Sequence, residues 1–224
     1  MSNPSSNPSS RSVVLLSGGL DSSANLAIAC EREPVELALT CDYGQKAAKK
    51  EIEAAGRLAQ YYGVRHQILD LTWLGRLGGS SLTSESKVPE IGAHQLDTGS
   101  IIRETAKQVW VPNRNGVLIN VAAAFADRLG AGRVIVGFNR EEAATFPDNS
   151  LEYLNRCSDA LALSTANGAR VFCYTTSMTK IEIVAELRRL KKPFPFDRIW
   201  SCYLGGEQPC GTCESCQRLK RAMG

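Results

Sequence analysis

Two groups of cysteines differ in spacing and therefore in the chemistry that they could do. Four of them lie close to the C-terminus in the pattern Cx7CxxCxxC: Cys202, Cys210, Cys213 and Cys216. Four thiolates can surround a tetrahedral ion and leave no open position for water, which predicts a structural zinc site, with a four-thiolate iron–sulfur cluster as the alternative. Disulfides are disfavoured because no secretory signal is present. The remaining four lie in apolar stretches and are predicted to be small buried hydrophobic residues: Cys30, Cys41, Cys157 and Cys173.

A second chemical pattern is the run Ser17-Gly18-Gly19-Leu20-Asp21-Ser22-Ser23, which follows a strand-like segment and opens a helical one. Two glycines let the backbone turn tightly and approach an anion, and a helix N-terminus presents unpaired N–H groups with a favourable dipole. The spacing matches neither GxGxxG nor GxxxxGK[ST], so the dinucleotide-binding and Walker patterns do not apply. The run predicts a phosphate site, and the alternative is a glycine turn in which Asp21 or Ser22 caps the helix.

The elements that must position these residues alternate between strands and helices. Short apolar runs predict strands at 12–16, 35–41, 66–71, 133–137 and 171–174. Helical spacing predicts helices at 21–32, 47–62, 117–129, 151–163 and 180–190. This order predicts an α/β fold with a doubly wound parallel sheet. Such sheets bind ligands beyond the carboxyl ends of their strands, so the candidate site is formed by the loops 17–21, 42–46, 138–149 and 175–179.

Composition and charge narrow the classes of function. Of the 224 residues, 43% are hydrophobic and 22% are charged, and 26 basic side chains against 23 acidic ones give a formal net charge of +3. This composition is typical of a globular domain, and the charge is too small for a nucleic-acid-binding face. No run approaches the roughly 18 apolar residues of a membrane helix, and the N-terminus lacks a signal peptide. We expect a cytoplasmic protein with reduced cysteines and small-molecule partners, without nucleic-acid or membrane binding.

Three segments are predicted from the composition along the chain. The Ser/Asn/Pro-rich residues 1–11 are predicted to be a disordered tail, residues 12–199 the α/β domain and residues 200–224 a small zinc-binding module. Within the domain, the stretch between Thr72 and Pro112 is far longer than an ordinary connection. It is expected to be a lid over the site or an oligomer contact.

The SGGxDS run resembles the signature of the PP-loop ATP pyrophosphatases, enzymes that attack the α-phosphate of ATP and release pyrophosphate. Lys180 matches the later lysine that this superfamily places near the phosphates, where it would neutralise developing charge. The alternative for Lys180 is a solvated surface lysine. Further motifs make the chain from residue 12 onward similar to the 7-cyano-7-deazaguanine synthase family: Asp42-Tyr43-Gly44-Gln45, Val111-Pro112-Asn113-Arg114-Asn115, Trp200-Ser201-Cys202-Tyr203 and the cysteine tail.

The resemblance implies a PP-loop fold, a homodimer and a two-stage use of Mg·ATP on 7-carboxy-7-deazaguanine. An acyl-adenylate is converted by ammonia to the amide, and adenylylation of the amide oxygen followed by loss of AMP leaves the nitrile. The catalytic residues that it implies are Asp21, Arg114 and Lys180. The ATP-binding residues that it implies are Leu16, Ser17, Gly18, Gly19, Leu20, Asp21, Ser22, Ser23, Tyr43 and Gln45. The substrate-binding residues that it implies are Arg114, Asn115, Asn139, Glu142, Phe146 and Asp148.

The segment 137–150 departs from the family pattern. Typical members carry an aspartate, a serine-glycine pair and then Tyr-Pro-Asp-Cys-Arg, whereas this chain has Glu142 for the aspartate, Phe146 for the tyrosine and Asn149-Ser150 for Cys-Arg. An acidic side chain could still accept hydrogen bonds from the guanine-like edge, so Glu142 or Asp148 is expected to read the base. Loss of the arginine motivates an alternative function, in which the same adenylate stops at the amide or is joined to another amine, such as a protein amine.

Two further functions remain open from the sequence. A tRNA-thiolating or lysidine-forming PP-loop enzyme would need a basic face and often an added RNA-binding domain. A non-enzymatic zinc-stabilised module would bind ATP without releasing pyrophosphate. The two histidines, His66 and His94, have no partners at ligand spacing and are predicted to be structural.

Overall fold

A five-stranded parallel sheet forms the centre of the computed structural model, which describes residues 11–224. The strands are β1 Ser12–Leu15, β2 Val35–Asp42, β3 His66–Asp70, β4 Arg133–Ile135 and β5 Arg170–Phe172. Their order in the sheet is β3-β2-β1-β4-β5, so the direction of winding reverses between β1 and β4. The prediction of a doubly wound parallel sheet is confirmed, and its switch point lies where a ligand crevice is expected.

Helices cover both faces of the sheet. The longer ones are α1 Leu20–Arg32, α2 Ala48–Tyr62, α4 Gly99–Val109, α5 Arg114–Leu129, α7 Leu151–Ser164, α8 Lys180–Leu187 and α9 Glu214–Met223. Two single-turn helices are α3 Thr72–Gly75 and α6 Arg140–Ala143. None of the helices within residues 11–224 is long and apolar enough to cross a membrane.

Alternation along β1 divides the core between the two faces. Val13 packs with the buried faces of α5 and α7, whereas Val14 packs with those of α1 and α2. Both valines are fully buried, and each contributes about 1.5–3 kcal/mol of burial free energy. A third cluster joins α1 to α8 and α9, so the C-terminal helix is packed onto the domain through Ala222.

The stretch between residues 72 and 112 is more regular than the sequence pattern indicated. It contains α3 and α4, and α4 buries Ile102, Thr105, Ala106 and Val109 at helical spacing. The backbone N–H of Ile91 donates to the carbonyl of Thr212 at 2.9 Å, so the stretch also packs on the C-terminal segment. Its expected role as a lid or an oligomer contact stays a prediction.

Several predicted boundaries differ from the structure. Helix α5 begins at Arg114, three residues before the predicted start at 117, and α9 was not predicted. The predicted disordered tail lies outside the described residues except for Arg11, which donates hydrogen bonds to Glu36 and to the carbonyl of Gly130. The predicted boundary between residues 199 and 200 stays a prediction. Two hydrogen bonds cross it, one from the N–H of Trp200 to the Gly18 carbonyl and one from the N–H of Leu20 to Ser201 Oγ.

Candidate active site

The loop between β1 and α1 is shaped by a glycine that no other residue could replace without strain. Gly18 has a φ of +80°, and a Cβ atom there would lie 2.8 Å from both the Ala54 Cβ atom and the Glu51 carbonyl oxygen. Only glycine adopts this conformation routinely and fits so close to α2. A Cβ atom on Gly137, at the end of β4, would likewise lie 2.3 Å from the Ser22 nitrogen. The loop is therefore held tightly between two neighbouring segments.

Hydroxyl groups fix the loop further. The backbone N–H of Ser17 donates to Ser22 Oγ at 3.1 Å, and the two serine hydroxyls lie 2.9 Å apart. The N-cap of α1 is Gly19, which has no side chain to bond, so neither Asp21 nor Ser22 caps the helix. The alternative of a self-capped glycine turn is therefore not what the structure contains.

A cavity of about 240 Å³ opens beside this loop, at the carboxyl ends of β1, β2 and β4. Most of the predicted site residues line it: Leu16, Ser17, Gly19, Leu20, Asp21, Ser22, Tyr43, Gln45, Arg114, Asn115, Glu142, Phe146, Asp148 and Lys180. The fold thus brings together residues that are far apart in the sequence.

Three predicted site residues do not line the cavity, for local reasons. Gly18 turns the backbone against α2, and its carbonyl accepts from the N–H of Trp200 at 2.8 Å. Ser23 is fully buried in α1. Asn139 caps α6, because its side chain accepts from the backbone N–H of Glu142 at 3.0 Å. All three support the residues that reach the cavity.

Lys180 is the central cation of the cavity. Its Nζ atom lies 2.5 Å from Asp21 and 3.0 Å from Glu142, and the residue is 5% exposed. Burial opposes its charge, but the attraction of the two carboxylates outweighs burial and raises the pKa of Lys180. The alternative of a solvated surface lysine is wrong, because Lys180 is buried at the start of α8 and contacts Asp21 of the loop 17–23, here called the phosphate loop after its predicted role.

The two carboxylates on Lys180 differ in their tendency to ionise. Burial raises the pKa of Asp21 despite the nearby ammonium group. Burial also opposes ionisation of Glu142, but attraction and hydrogen bonding from Lys180, with help from Asn139, keep its pKa below the ordinary value. The Asp21 Oδ1 atom is buried and has no hydrogen-bond partner among residues 11–224, so this oxygen has a lone pair available for a ligand.

A second cluster lies across the cavity at the start of α5. Asn113 adopts a left-handed conformation with a φ of 49°, and the helix begins at the next residue. Arg114 donates to the Tyr43 hydroxyl at 3.4 Å, and its guanidinium lies 5.7 Å from the centroid of that ring. Asn115 donates to Asp148 at 2.9 Å, so this cluster presents a cation beside an oriented carboxylate.

Two residues of the segment 137–150 that differ from the family pattern have structural roles. Asn149 is buried and donates to Asp148 Oδ1 at 3.0 Å. Ser150 caps α7 by accepting from the backbone N–H of Tyr153 at 3.2 Å. The residues that replace Cys-Arg therefore orient Asp148 and start a helix.

Some cavity residues were not predicted from the sequence. Glu51 lines the cavity from α2 and accepts from Gln45 Nε2 at 2.9 Å. Trp110 stacks on Phe146 with a centroid separation of 6.2 Å and an interplanar angle of 8°. Tyr203 also lines the cavity. Trp110 immediately precedes the motif that begins at Val111, and Tyr203 is the last residue of the Trp200–Tyr203 motif. Glu51 lies six residues after Gln45. Nearness to a motif is therefore the sequence signal that could have indicated these three residues.

The four C-terminal cysteines form a cluster that could hold a metal ion. Their sulfur atoms lie within 4.8 Å of one another, with 3.5 Å between Cys202 and Cys210 and 3.9 Å between Cys210 and Cys216. A tetrahedral zinc–thiolate site with bonds of about 2.3 Å requires sulfur separations of about 3.8 Å, so the donor set and its size fit. The separations are far longer than the S–S bond of about 2.05 Å in a disulfide.

The scattered cysteines and the histidines are not gathered into a ligand site. Cys41 is buried as predicted, whereas Cys30, Cys157 and Cys173 are half-buried at the edges of the core clusters. His66 Nε2 lies 2.7 Å from the Thr40 hydroxyl on the neighbouring strand, in agreement with a structural role.

Hydrogen bonds connect the cysteine segment to the phosphate loop and to Lys180. Ser201 Oγ accepts from the N–H of Leu20 at 3.1 Å. Glu141 Oε1 accepts from the backbone N–H of Lys180 at 2.8 Å, and its Oε2 atom accepts from Arg218 at 2.6 Å. Arg218 is buried in α9 and also donates to Glu214 at 2.8 Å. The C-terminal segment thus helps to position Lys180.

Comparison with known proteins shows the family of this chain. The family model described as Queuosine biosynthesis protein QueC matches residues 11–224. The 7-cyano-7-deazaguanine synthase of Desulforudis audaxviator is 51% identical over 212 residues, which cover 95% of this chain and 96% of that protein. The protein of the same name from Methanosarcina mazei is 44% identical over 217 residues, which cover 95% of this chain and 93% of that protein.

A solved structure shares the fold at low identity. NMN synthetase from Francisella tularensis matches with a TM-score of 0.50 and 15% identity, covering 91% of this chain and 71% of that chain. Identity this low shows the fold alone. On the family model and the relatives, the chain belongs to the family of Queuosine biosynthesis protein QueC, whose similar members are named 7-cyano-7-deazaguanine synthase.

Proposed function

We propose that this chain is an ATP-dependent enzyme that converts 7-carboxy-7-deazaguanine and ammonia to 7-cyano-7-deazaguanine. The observation that carries the proposal is one cavity that joins the SGGxDS loop, the Lys180 cluster and the Arg114 cluster, in a chain similar over almost its whole length to relatives of that activity. Phosphate-binding groups and a separate cation–carboxylate pair are what the transfer of an adenylyl group to a carboxylate requires.

The phosphate loop and Lys180 are proposed to hold ATP. Ser17 and Ser22 contribute hydroxyls, and the uncapped start of α1 contributes backbone N–H groups to the triphosphate. Lys180 stabilises the pyrophosphate as it leaves the α-phosphate. Mg²⁺ bound with ATP would supply further neutralisation of that charge, and Asp21 with its unpartnered Oδ1 atom, together with Glu142, would hold it.

The Arg114 side of the cavity is proposed to hold the deazaguanine. Arg114 lies where it could pair with the substrate carboxylate, and Asp148, oriented by Asn115 and Asn149, could accept from the amino and N–H groups of the base. Phe146 and Trp110 offer parallel aromatic faces at the same cavity. Glu142, which sequence reasoning also assigned to the base, faces Lys180 and is proposed to act on the phosphate side instead.

Zinc is the proposed metal of the cysteine cluster, with a structural role. Four closely spaced thiolates match its preferred tetrahedral coordination and leave no position for substrate. We propose that residues 12–199 form the catalytic domain and residues 200–224 a zinc-stabilised module packed on it. A homodimer is proposed on the family resemblance alone, and its test is the molar mass in solution.

The alternative product is an amide or a conjugate with another amine, including a protein amine. The departure at Asn149 and Ser150 motivated it, but the names of the relatives do not favour it, and both residues have local structural partners. The experiment is mass spectrometry of the products from metal-loaded protein, 7-carboxy-7-deazaguanine, Mg·ATP and ammonium, with AMP counted. Nitrile with two AMP for each product molecule is expected. Amide with one AMP, or AMP release that requires a different amine, would overturn the proposed function.

A further inference from the structure

Glu51 is an acidic side chain in the cavity for which the reaction outlined above assigns no role. It lies in the first turn of α2 and lines the cavity together with Tyr43, Arg114 and Asn115. The residue is half-buried. Its position at the side of the cavity that holds Arg114 places it toward the proposed deazaguanine subsite.

The other carboxylates of the cavity already have roles in the proposed function. Asp21 and Glu142 are both paired with Lys180, and Asp148 accepts hydrogen bonds from two asparagine amides. By contrast, Glu51 belongs to none of the ion pairs formed among residues 11–224. Within residues 11–224, Glu51 is thus a cavity carboxylate without a direct ion pair, and Arg114 is the cation that lines the same part of the cavity.

A buried glutamine fixes the orientation of Glu51. Gln45 Oε1 accepts from the backbone N–H of Tyr43 at 2.9 Å, and its Nε2 atom donates to the Cys41 carbonyl at 3.3 Å and to Glu51 Oε2 at 2.9 Å. Because both ends of the Gln45 amide are held by backbone, its hydrogen bond presents one Glu51 oxygen in a constant direction. The second oxygen, Oε1, is left to a ligand.

The groups around Glu51 keep its carboxyl close to half ionisation at neutral pH. Burial raises the pKa of Glu51 to about 7, the Gln45 hydrogen bond and the charge of Arg114 oppose this rise, and Asp42 adds to it. Tyr43 faces the same region, and burial raises the pKa of its phenol, so the phenol stays neutral. A carboxyl group that titrates near the working pH is suited to accept and release protons.

The amide-to-nitrile stage of the proposed function requires such a group. When the amide oxygen displaces pyrophosphate from ATP, the product is an O-adenylylated cation with an NH₂ group. Loss of one N–H proton gives the neutral imidate, and loss of the second proton with cleavage of the C–O bond releases AMP and leaves the C≡N bond. Two protons must therefore leave one nitrogen, and no oxidant or reductant is involved.

We propose that the Glu51 carboxylate is the proton acceptor for the substrate nitrogen in the amide-to-nitrile stage. This proposal rests on the proposed function. It assigns Glu51 to proton transfer at nitrogen and leaves the activation of the carboxylate to the phosphate loop and Lys180.

The test uses the full-length metal-loaded protein and compares its two stages separately. E51Q keeps the size of the side chain and an oxygen that can accept from Gln45, but it cannot take up the proton. With the deazaguanine amide and Mg·ATP, nitrile formation by E51Q is expected to fall about 100-fold, in the range of general base catalysis. With the carboxylate and no ammonia, pyrophosphate release in a single turnover is expected to stay within about threefold of the wild-type rate.

Controls separate this role from a structural one and from the proposed function. E53Q changes an exposed glutamate on the same helix and should leave both stages unchanged. The wild-type rate of nitrile formation from the amide should rise through a pH near 7, and E51D, which keeps a carboxylate, should retain that rise at reduced rate. If E51Q formed nitrile at the wild-type rate, or lost the same factor in both stages, the proposed role of Glu51 would be wrong and the proposed function would stand. Wild-type protein that makes no nitrile would overturn the proposed function and this inference with it.

Discussion

The phosphate loop and the cysteine cluster lie side by side, but different interactions hold them in place. The loop lies between a buried strand and α1, and its shape follows from Gly18, from serine hydroxyls and from the sheet core beneath it. The cysteine segment packs in a smaller apolar cluster, in which Trp200, Cys202 and Cys213 join Ala47 and Ala54. The loop is therefore fixed by packing on the sheet core, whereas the C-terminal segment is held by packing on neighbouring helices together with four sulfur atoms that could bind a metal.

The two regions are nevertheless linked by hydrogen bonds. Trp200 and Ser201 bond to the phosphate loop, and Arg218 bonds to the glutamate that accepts from the backbone N–H of Lys180. Loss of order in the C-terminal segment should therefore disturb the position of Lys180. Each of these supports can be removed separately by substitution.

Removal of the metal site should have the largest effect. C213S deletes a buried sulfur, and because four-thiolate zinc contributes about 10–16 kcal/mol of apparent binding free energy in small modules, we expect loss of bound metal, loss of order in residues 200–224 and loss of activity. Metal content, limited proteolysis and product formation measure this. C30S, at a half-buried cysteine outside the cluster, is the control and should keep the metal. Full activity in metal-free C213S would contradict the dependence.

Removal of the buried arginine of α9 should come next. R218Q leaves Glu141 and Glu214 without their buried cation, and breaking such a pair costs about 3–5 kcal/mol of unfolding free energy. R221Q is the matched control, because its side chain also contacts Glu141 but is 31% exposed, so a loss of about 0–1 kcal/mol is expected. Denaturant unfolding measures both variants. Equal losses would show that burial does not distinguish the two arginines.

Replacement of Lys180, the cation proposed to be catalytic, should lower turnover without affecting the cysteine segment. K180Q removes the charge that Asp21 and Glu142 share, and a loss of about 10²- to 10³-fold in kcat is expected, the range for one stabilising donor in an active site. Pyrophosphate release measures the rate, and metal content should not change. K191Q, at an exposed lysine just after α8, should behave like the wild type. Wild-type turnover by K180Q would show that a residue other than Lys180 contacts the phosphates.

The smallest effect is expected from a methyl group on the loop itself. G18A forces a non-glycine residue to a φ of +80° and into contact with α2. The free energy of unfolding and the affinity for ATP should therefore both fall. G168A has a φ of +61° but open space around the new Cβ atom, so it reports the conformational cost alone, about 1–2 kcal/mol. Unfolding and ATP binding measure the difference. A G18A protein no less stable than G168A would mean that the loop can move away from α2.

Local patterns predicted some elements well and others poorly. The strands and the helices next to them have clear periodicity, and their predicted ranges lie within a few residues of the observed ones. Helix α4 was missed although Ile102, Ala106 and Val109 have helical spacing, because long polar and glycine-containing runs precede it. Helix α9 was missed because it buries charged residues, Glu214 and Arg218, which pattern analysis assigns to an exposed face.

Features that depend on near neighbours in the chain could be predicted from the sequence. The SGGxDS turn, the cysteine spacing and the order of strands and helices are of this kind, and the short motifs around Tyr43, Arg114 and Trp200 carried the resemblance to the family. Which distant groups meet is a property of the tertiary structure. It places Lys180 between Asp21 and Glu142, connects Arg218 to Glu141, and puts Glu51 in the cavity, where it takes part in none of the ion pairs formed among residues 11–224. The physical reason is that pairing and burial of charge depend on distances through space, which chain packing sets and linear spacing does not record.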